Sequence, residues 1–366
     1  MLCRRTTYKR AMIPKTVRLL QIKPDTTADK SIRADKNWQK QQAGALREPL
    51  ALLQQLDLPA SLLRPAEEAG TAFPLRAPAS WLARIQPGDP ADPLLRQILP
   101  LAEELQDAPG FSPDPVGDGG ARNAPGLLHK YQGRVLLMTT GVCAIHCRYC
   151  FRRHYPYADD NLLTHLPAAL DYINADDSIT EVILSGGDPL SLSNQRLHAL
   201  IQQIQAIPHI KRLRIHSRSP VALPERIDNG LLDLIKSIKL QTVMVIHCNH
   251  PNELDESVIN ALGRLRQCGL TLLNQSVLLK GVNDCVDTLC RLSEQLFSAG
   301  VLAYYLHQLD RVKGAQHFEV PEAEAIALHA ALRQQLPGYL LPELVKEQAG
   351  AGAKTPLQTA CKTGPD

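Results

Sequence analysis

The 366-residue chain has no run of about 18 apolar residues, so nothing in it reads as a membrane-spanning helix. It has no internal repeat and no low-complexity segment, which excludes a solenoid array. It carries no mark of secretion. Six of its nine cysteines (Cys3, Cys248, Cys268, Cys285, Cys290 and Cys361) are scattered, as thiols are in a reducing compartment, and a cytoplasmic location is the expectation. The first 23 residues lack any Asp or Glu. A transit peptide has this character, but translation starting at Met12 is the plainer expectation. Residues 1–40 hold eleven Lys/Arg against three acids, net +8, and leave −5 for the remainder. A short solvated tail of this kind does not imply nucleic-acid binding. Apolar residues are plentiful at 44%, enough for a large core. The length suits two domains, or one with an extension.

Residues 1–36 read as a disordered basic tail. Leu46, Leu50 and Leu53 fall at helical spacing within 38–56, and Pro59 ends that stretch. Residues 61–68 predict a short helix, and 94–105 another that Pro100 interrupts. Pro/Gly turns such as Pro87-Gly88-Asp89-Pro90 separate them. This predicts a helical, loop-rich N-terminal region over 37–125. Beyond it, β-branched runs alternate with amphipathic stretches. Strands are expected at 135–140, 181–185, 212–217, 242–248, 271–279 and 302–308. Apolar stripes at Leu197/Leu200/Ile201/Ile204 and Leu289/Leu292/Leu296 mark helices between them. Six such alternations imply an α/β fold of parallel βαβ units curled into an open barrel, with chemistry at the carboxyl ends of the strands.

The densest chemical signal is Cys143-Ala144-Ile145-His146-Cys147-Arg148-Tyr149-Cys150, a C-x3-C-x2-C loop after the first strand of the barrel. Spacings of two to four let a backbone wrap one face of a [4Fe-4S] cluster, and three local ligands leave one iron open. The alternatives are a zinc site, which prefers CxxC pairs and a fourth protein ligand, or a disulfide, which three thiols cannot satisfy. Tyr149 adds an aromatic beside these thiols. Ser185-Gly186-Gly187-Asp188 ends the second strand. Paired glycines allow close approach of backbone to a ligand, though a plain strand-to-helix turn reads the same way. His129-Lys130-Tyr131-Gln132-Gly133-Arg134 gathers donors that could hold a phosphate, or is a charged turn. Gly350-Ala351-Gly352-Ala353-Lys354-Thr355-Pro356 sets one Lys among small residues. That is either a flexible approach for a Schiff-base lysine or a tail linker.

The cysteine spacing and the Ser-Gly-Gly-Asp stretch together resemble the radical S-adenosylmethionine (SAM) enzymes, whose fold is a partial (β/α)6 barrel. The resemblance implies that Cys143, Cys147 and Cys150 hold a [4Fe-4S] cluster whose open iron SAM chelates. It also implies that Ser185, Gly186, Gly187 and Asp188 belong to the SAM site. Further stretches extend the likeness from about Phe73 to Leu357: Pro125-Gly126-Leu127-Leu128-His129-Lys130-Tyr131, Arg152-Arg153-His154, Leu213-Arg214-Ile215-His216-Ser217-Arg218, Leu273-Asn274-Gln275-Ser276 and Lys354-Thr355-Pro356. On these the chain resembles the lysine 2,3-aminomutase family, and within it the bacterial branch that makes β-lysine for modification of elongation factor P (EF-P).

That likeness implies a function as an isomerase that shifts the amino group of L-lysine from Cα to Cβ. Lys354 carries pyridoxal 5'-phosphate (PLP), and Lys130, Tyr131 and Arg134 hold its phosphate. Gln275 joins the cofactor-binding set. Arg152 pairs with the substrate carboxylate, a role that suits a guanidinium fork. Asp310 and Glu347 hold the ε-ammonium, Glu347 standing where the family has Asp. It implies a barrel over 126–345 and a PLP-lysine segment over 346–366. It also implies an external electron donor and an EF-P lysyl ligase that receives the product. Larger members bind zinc between subunits through a C-terminal cysteine cluster and a cysteine matching Cys285. Only Cys361 remains at this end, so no zinc is expected, and a homo-oligomer stays open. The alternatives are aminomutation of another amino acid such as glutamate, whose distal carboxylate would want a basic partner, or a non-catalytic Fe–S redox protein. The latter leaves Gly186-Gly187-Asp188 and Lys354-Thr355-Pro356 without a purpose.

Overall fold

The computed structural model of the chain describes residues 38–160 and 162–357. The expected tail over 1–36, the start at Met12 and Cys361 lie outside the described residues. The described residues belong to one compact unit. No helix among the described residues is long and apolar enough to cross a membrane.

Ten strands form one sheet in sequence order. They are β1 (Arg122–Ala124), β2 (Leu127–Tyr131), β3 (Arg134–Met138), β4 (Glu181–Ser185), β5 (Arg212–Ser217), β6 (Gln241–Ile246), β7 (Thr271–Val277), β8 (Leu302–His307), β9 (Glu343–Lys346) and β10 (Thr355–Pro356). Strands β3 to β9 run parallel, each paired with the next. The antiparallel strands β1 and β2 extend one side and β10 the other. The six expected strands are β3 to β8, most of them a residue or two shorter than expected at one end.

Side-chain alternation divides the sheet into two faces. On β5, Leu213 and Ile215 are fully buried against the outer helices, whereas Arg212, Arg214 and His216 turn inward. Helices Asn194–Gln205, Asn229–Lys236 and Glu256–Gln267 begin at Ser193, Asp228 and Asp255, whose side chains accept backbone N–H groups of the first turn. The stripe Leu197, Leu200, Ile201 and Ile204 is buried on that sheet, each residue contributing about 1.5–3 kcal/mol relative to exposure. So the apolar core lies between sheet and helices, and the inside of the barrel is left for polar groups.

Three expectations need correction. The single helix over 38–56 is two, Trp38–Ala43 and Pro49–Gln55, because Leu46 leaves the helical path to pair its backbone with Ala77. Leu50 is consequently 49% exposed, while Leu52, Leu53 and Leu56 face the core. The donor cluster His129-Lys130-Tyr131 lies on strand β2, not in a turn; the chain reverses at Gly133, whose φ of +75° suits glycine. Lastly, Lys354 is not on a loose tail. The Gly/Ala segment is the turn of a β9–β10 hairpin, in which Thr355 pairs with Lys346 and Lys354 therefore stands opposite Glu347.

Candidate active site

The barrel encloses a cavity of about 720 Å³. That is within the range of pre-formed ligand pockets. Arg134, Glu181 and Arg212, first residues of three neighbouring strands, line its floor. The cysteine loop, which follows the carboxyl end of β3, lines it at the other side. Cys143, Cys147 and Cys150 are all free thiols opening onto the cavity. Burial pushes all three thiols up, Cys150 to about 11 with help from the neighbouring Cys147. As bare thiols they are protonated; metal binding would replace those protons. No group of three His, Cys, Asp or Glu side chains among the described residues is gathered as it would be around one ion. Three local thiols leave one position of a cubane open, the donor set of a [4Fe-4S] cluster rather than of a four-ligand zinc site.

This loop is held from outside the barrel. Glu104, in the N-terminal region, accepts from Arg148 Nε (2.8 Å) and Nη2 (2.6 Å) and from Arg153 Nη2 (2.7 Å), with all three side chains nearly solvent-free. The backbone N–H groups of His146 and Arg148 donate to Arg76 and Gln97 carbonyls, both at 2.9 Å. Tyr149 is buried, its hydroxyl accepting from Asn249 Nδ2 at 2.7 Å. Gln97 Oε1 accepts from that same Asn249 and from Arg218, linking β5 and β6 exits to the loop. Of these props only Tyr149 was singled out from sequence, as an aromatic beside the thiols.

The Gly186-Gly187 pair packs against the cysteine loop itself. A Cβ on Gly187 would lie 2.6 Å from the Val142 carbonyl oxygen, and one on Gly186 2.8 Å from that of Thr140. The glycines thus let two backbones meet: Gly187 N donates to Thr140 (2.6 Å) and Asp188 N to Val142 (2.9 Å). Asp188 also lines the cavity. Its carboxylate accepts from Leu190 N, Ser217 Oγ, Arg218 N, Ser219 N and Ser219 Oγ, which ties the exits of β4 and β5 together. Ser185 and Gln275 both line the cavity.

A ladder of alternating charges crosses the cavity wall. Arg152 Nε donates to Asp118 Oδ2 at 2.6 Å, and Lys130 Nζ lies 2.6 Å from Asp118 Oδ1. Lys130 also donates to Glu347 Oε1 (3.1 Å), and Lys354 to Glu347 Oε2 (2.8 Å). Burial alone would raise the Glu347 carboxyl, but Lys354 and Lys130 bring it down to about 2. Both expected phosphate lysine and expected ammonium acid are therefore engaged with protein partners. Among the described residues Arg134 has no carboxylate partner; its guanidinium lies 4.5 Å from the centre of the Tyr131 ring. Lys354 Nζ lies 5.8 Å from the Tyr305 ring centre. Asp310 faces the cavity with no cation in contact among the described residues, and burial and Glu347 push it up to about 7.

Three histidines without carboxylate partners line the middle of the cavity: His216, His247 and His307. Burial, then neighbouring cations, lower each one, His247 to about 3, so all are neutral. The Nε2 atoms of His216 and His307 are buried without a partner. Such atoms want a ligand group to bond. The thiols, the free Arg134, the reachable Lys354 and these open imidazole nitrogens together fit a cluster, SAM and PLP.

Comparison with known proteins agrees with this arrangement. Residues 137–292 match the model of the Radical SAM superfamily. The chain is 47% identical over 323 residues to an L-lysine 2,3-aminomutase of Escherichia coli (strain K12), covering 88% of this chain and 94% of that protein. It is 45% identical to an L-lysine 2,3-aminomutase of Haemophilus influenzae, covering 88% and 96%. A solved radical SAM methyltransferase from Sphaerobacter thermophilus superposes with a TM-score of 0.43 at 17% identity, over 60% of this chain and 68% of that one. No inference rests on a likeness that distant.

Proposed function

The chain belongs to the lysine 2,3-aminomutase family of radical SAM enzymes, and we propose that it converts L-lysine to β-lysine within the cavity just described. The observation that carries the reading is that three free thiols and Lys354 open onto one cavity. When bound, the [4Fe-4S] cluster with SAM supplies one-electron chemistry that lifts and returns a hydrogen atom, and PLP carries the migrating amino group.

The residues of the chain bind, orient and exclude water. Cys143, Cys147 and Cys150 hold the cluster. Gly186 and Gly187 keep the SAM side of the wall thin, with Ser185 and Gln275 as polar contacts. Lys354 is the covalent anchor of PLP, and Arg134 with Tyr131 takes its phosphate. Lys130 joins them by turning from Asp118 or Glu347. Arg152 takes the substrate α-carboxylate through the guanidinium edge that Asp118 leaves free. Asp310 takes the ε-ammonium, because it alone of the two expected acids has no resident cation; Glu347 serves first as counter-ion to Lys130 and Lys354. The histidines bond ligands without adding charge, which suits a reaction that holds atoms in contact and moves no proton through solvent.

In this reading residues 37–125 buttress the cysteine loop, 126–345 form the barrel and the hairpin beyond delivers Lys354. An external donor provides the electron. The β-lysine product goes to an EF-P lysyl ligase in the cytoplasm, a role supported by the sequence resemblance to that branch.

Anaerobic incubation of reconstituted protein with SAM, PLP and L-lysine tests the activity. β-Lysine should form, and glutamate should not react. Borohydride reduction and peptide mapping should place the PLP label on Lys354; label on another lysine would refute that role.

A further inference from the structure

One buried acid, Asp118, lies behind the cavity wall and touches two residues that line it. Asp118 is 2% exposed and touches both ends of the site at once, Arg152 through Oδ2 and Lys130 through Oδ1, each at 2.6 Å. Burial would raise its carboxyl, but Arg152 and Lys130 outweigh that and hold it below the ordinary range.

Its own position is built. Asp114 accepts from the backbone N–H groups of Asp118 (2.8 Å) and Gly119 (2.9 Å), fixing the turn. Gly117, at φ +68°, sits where a Cβ would lie 3.0 Å from Ala349, in the hairpin turn that carries Lys354. The Val116 carbonyl of the same turn accepts from Lys130 at 2.8 Å. One short segment thus contacts Lys130, the hairpin that carries Lys354, and Arg152.

Arg152 is oriented by this contact. Asp118 takes Nε; the Phe151 ring lies 4.5 Å from the guanidinium centre, and Nη1 is 3.4 Å from Ser185 Oγ. A guanidinium held at Nε presents its other edge, the Nη1/Nη2 fork, for a second carboxylate. Without Asp118 only the ring and a long contact to one hydroxyl would direct it. Lys130 would then be left with the Val116 carbonyl and Glu347, the partner of Lys354.

Resting on the reading that Arg152 binds the substrate carboxylate, we propose that Asp118 is a positioning residue. It aims Arg152 at the substrate and, by sharing its carboxylate with Lys130, ties the substrate subsite to the cofactor subsite.

The test uses full-length holoenzyme and measures lysine affinity by calorimetry without SAM, PLP affinity by absorbance titration, and iron content. Asp118→Asn should bind lysine about 10- to 100-fold more weakly, the usual effect of removing an outer partner that orients a binding group. It should also bind PLP more weakly while keeping its iron. Asp118→Glu should recover part of both. Arg152→Gln should lose lysine affinity but not PLP affinity, and adding Asp118→Asn to it should weaken lysine no further. 1,5-Diaminopentane, which lacks the carboxylate, should bind wild type and Asp118→Asn alike.

If Arg152→Gln leaves lysine affinity unchanged, the reading of Arg152 is wrong and the proposal falls with it. If Arg152→Gln weakens lysine but Asp118→Asn does not, the proposal alone is wrong. Tighter lysine binding by Asp118→Asn would overturn it by making Asp118 a competitor of the substrate. Loss of iron from both Asp118 variants would overturn it by giving the residue a folding role.

Discussion

Glu104 and Glu347 each sit between two cations, yet their surroundings give them opposite uses. Glu104 meets Arg148 and Arg153 where no side chain of the three is more than 2% exposed. It does not line the cavity, so no ligand can take its place. Glu347 meets Lys130 and Lys354 with all three side chains 15–21% exposed on the cavity wall. There a phosphate, a carbonyl or a substrate ammonium can exchange with a resident partner. The same one-acid, two-cation arrangement is a fixed strut in one place and a displaceable counter-ion in the other. Access decides which, not the strength of the pairs.

Breaking the strut should have the largest effect. Glu104→Gln leaves two buried guanidinium groups without a counter-charge, a cost of about 3–5 kcal/mol. The protein should melt at lower temperature and retain little iron after reconstitution, with activity lost in proportion. Full iron content in this variant would show that the cysteine loop does not depend on Glu104.

Breaking the counter-ion should leave the fold intact. Glu347→Gln should keep its iron but lose roughly 10- to 100-fold in PLP or lysine affinity, the scale of a charge-assisted bond worth about 1.5–3 kcal/mol. Glu347→Asp keeps the charge and should retain more turnover than Gln. It is one methylene shorter for spanning Lys130 and Lys354, so comparing both variants separates charge from reach. Equal turnover in the two would remove charge from the explanation.

The smallest effect sharpens the comparison at Asp310, which has no resident cation. Its carboxyl is pushed up to about 7 by burial and by Glu347, against the pull of Lys354, Lys130 and Arg152. An ammonium prefers the ionised form, so binding lysine lowers this value and releases a proton. The sign follows: lysine affinity weakens as pH falls below about 7, by up to about tenfold per unit, and levels off above it. The cavity histidines are neutral throughout this window and add no titration of their own. Lysine dissociation constants from pH 6 to 8 should show this slope in wild type and a flat line in Asp310→Asn.

The sequence made local chemistry legible. The C-x3-C-x2-C loop, the six barrel strands and the Lys354 motif are each contained in a few consecutive residues, and the six strands form where expected. The partners that fix them were not legible. Glu104 is 44 residues from Arg148, and Asp118 is 34 from Arg152. Asp114-Pro-Val-Gly-Asp118-Gly-Gly reads as an ordinary turn. The role of Glu347 was hidden similarly, because only the β9–β10 register sets it opposite Lys354. The engagement of Asp188 was hidden for a related reason: the Gly-Gly-Asp motif does not name the serine hydroxyls and backbone N–H groups beyond β5 that its carboxylate accepts from.

The way the cysteine loop is braced also sets an order of events during synthesis. Its supports come from both sides in sequence: Arg76, Gln97 and Glu104 before it, and Asn249 and Gly314 after it, the last accepting from Arg153 Nη1 at 3.1 Å. A nascent chain that has exposed only the three cysteines has no shaped receptacle for iron. The bracing is complete only once residue 314 is in place, whereas the hairpin bearing Lys354 follows it in the chain and supplies none of these supports.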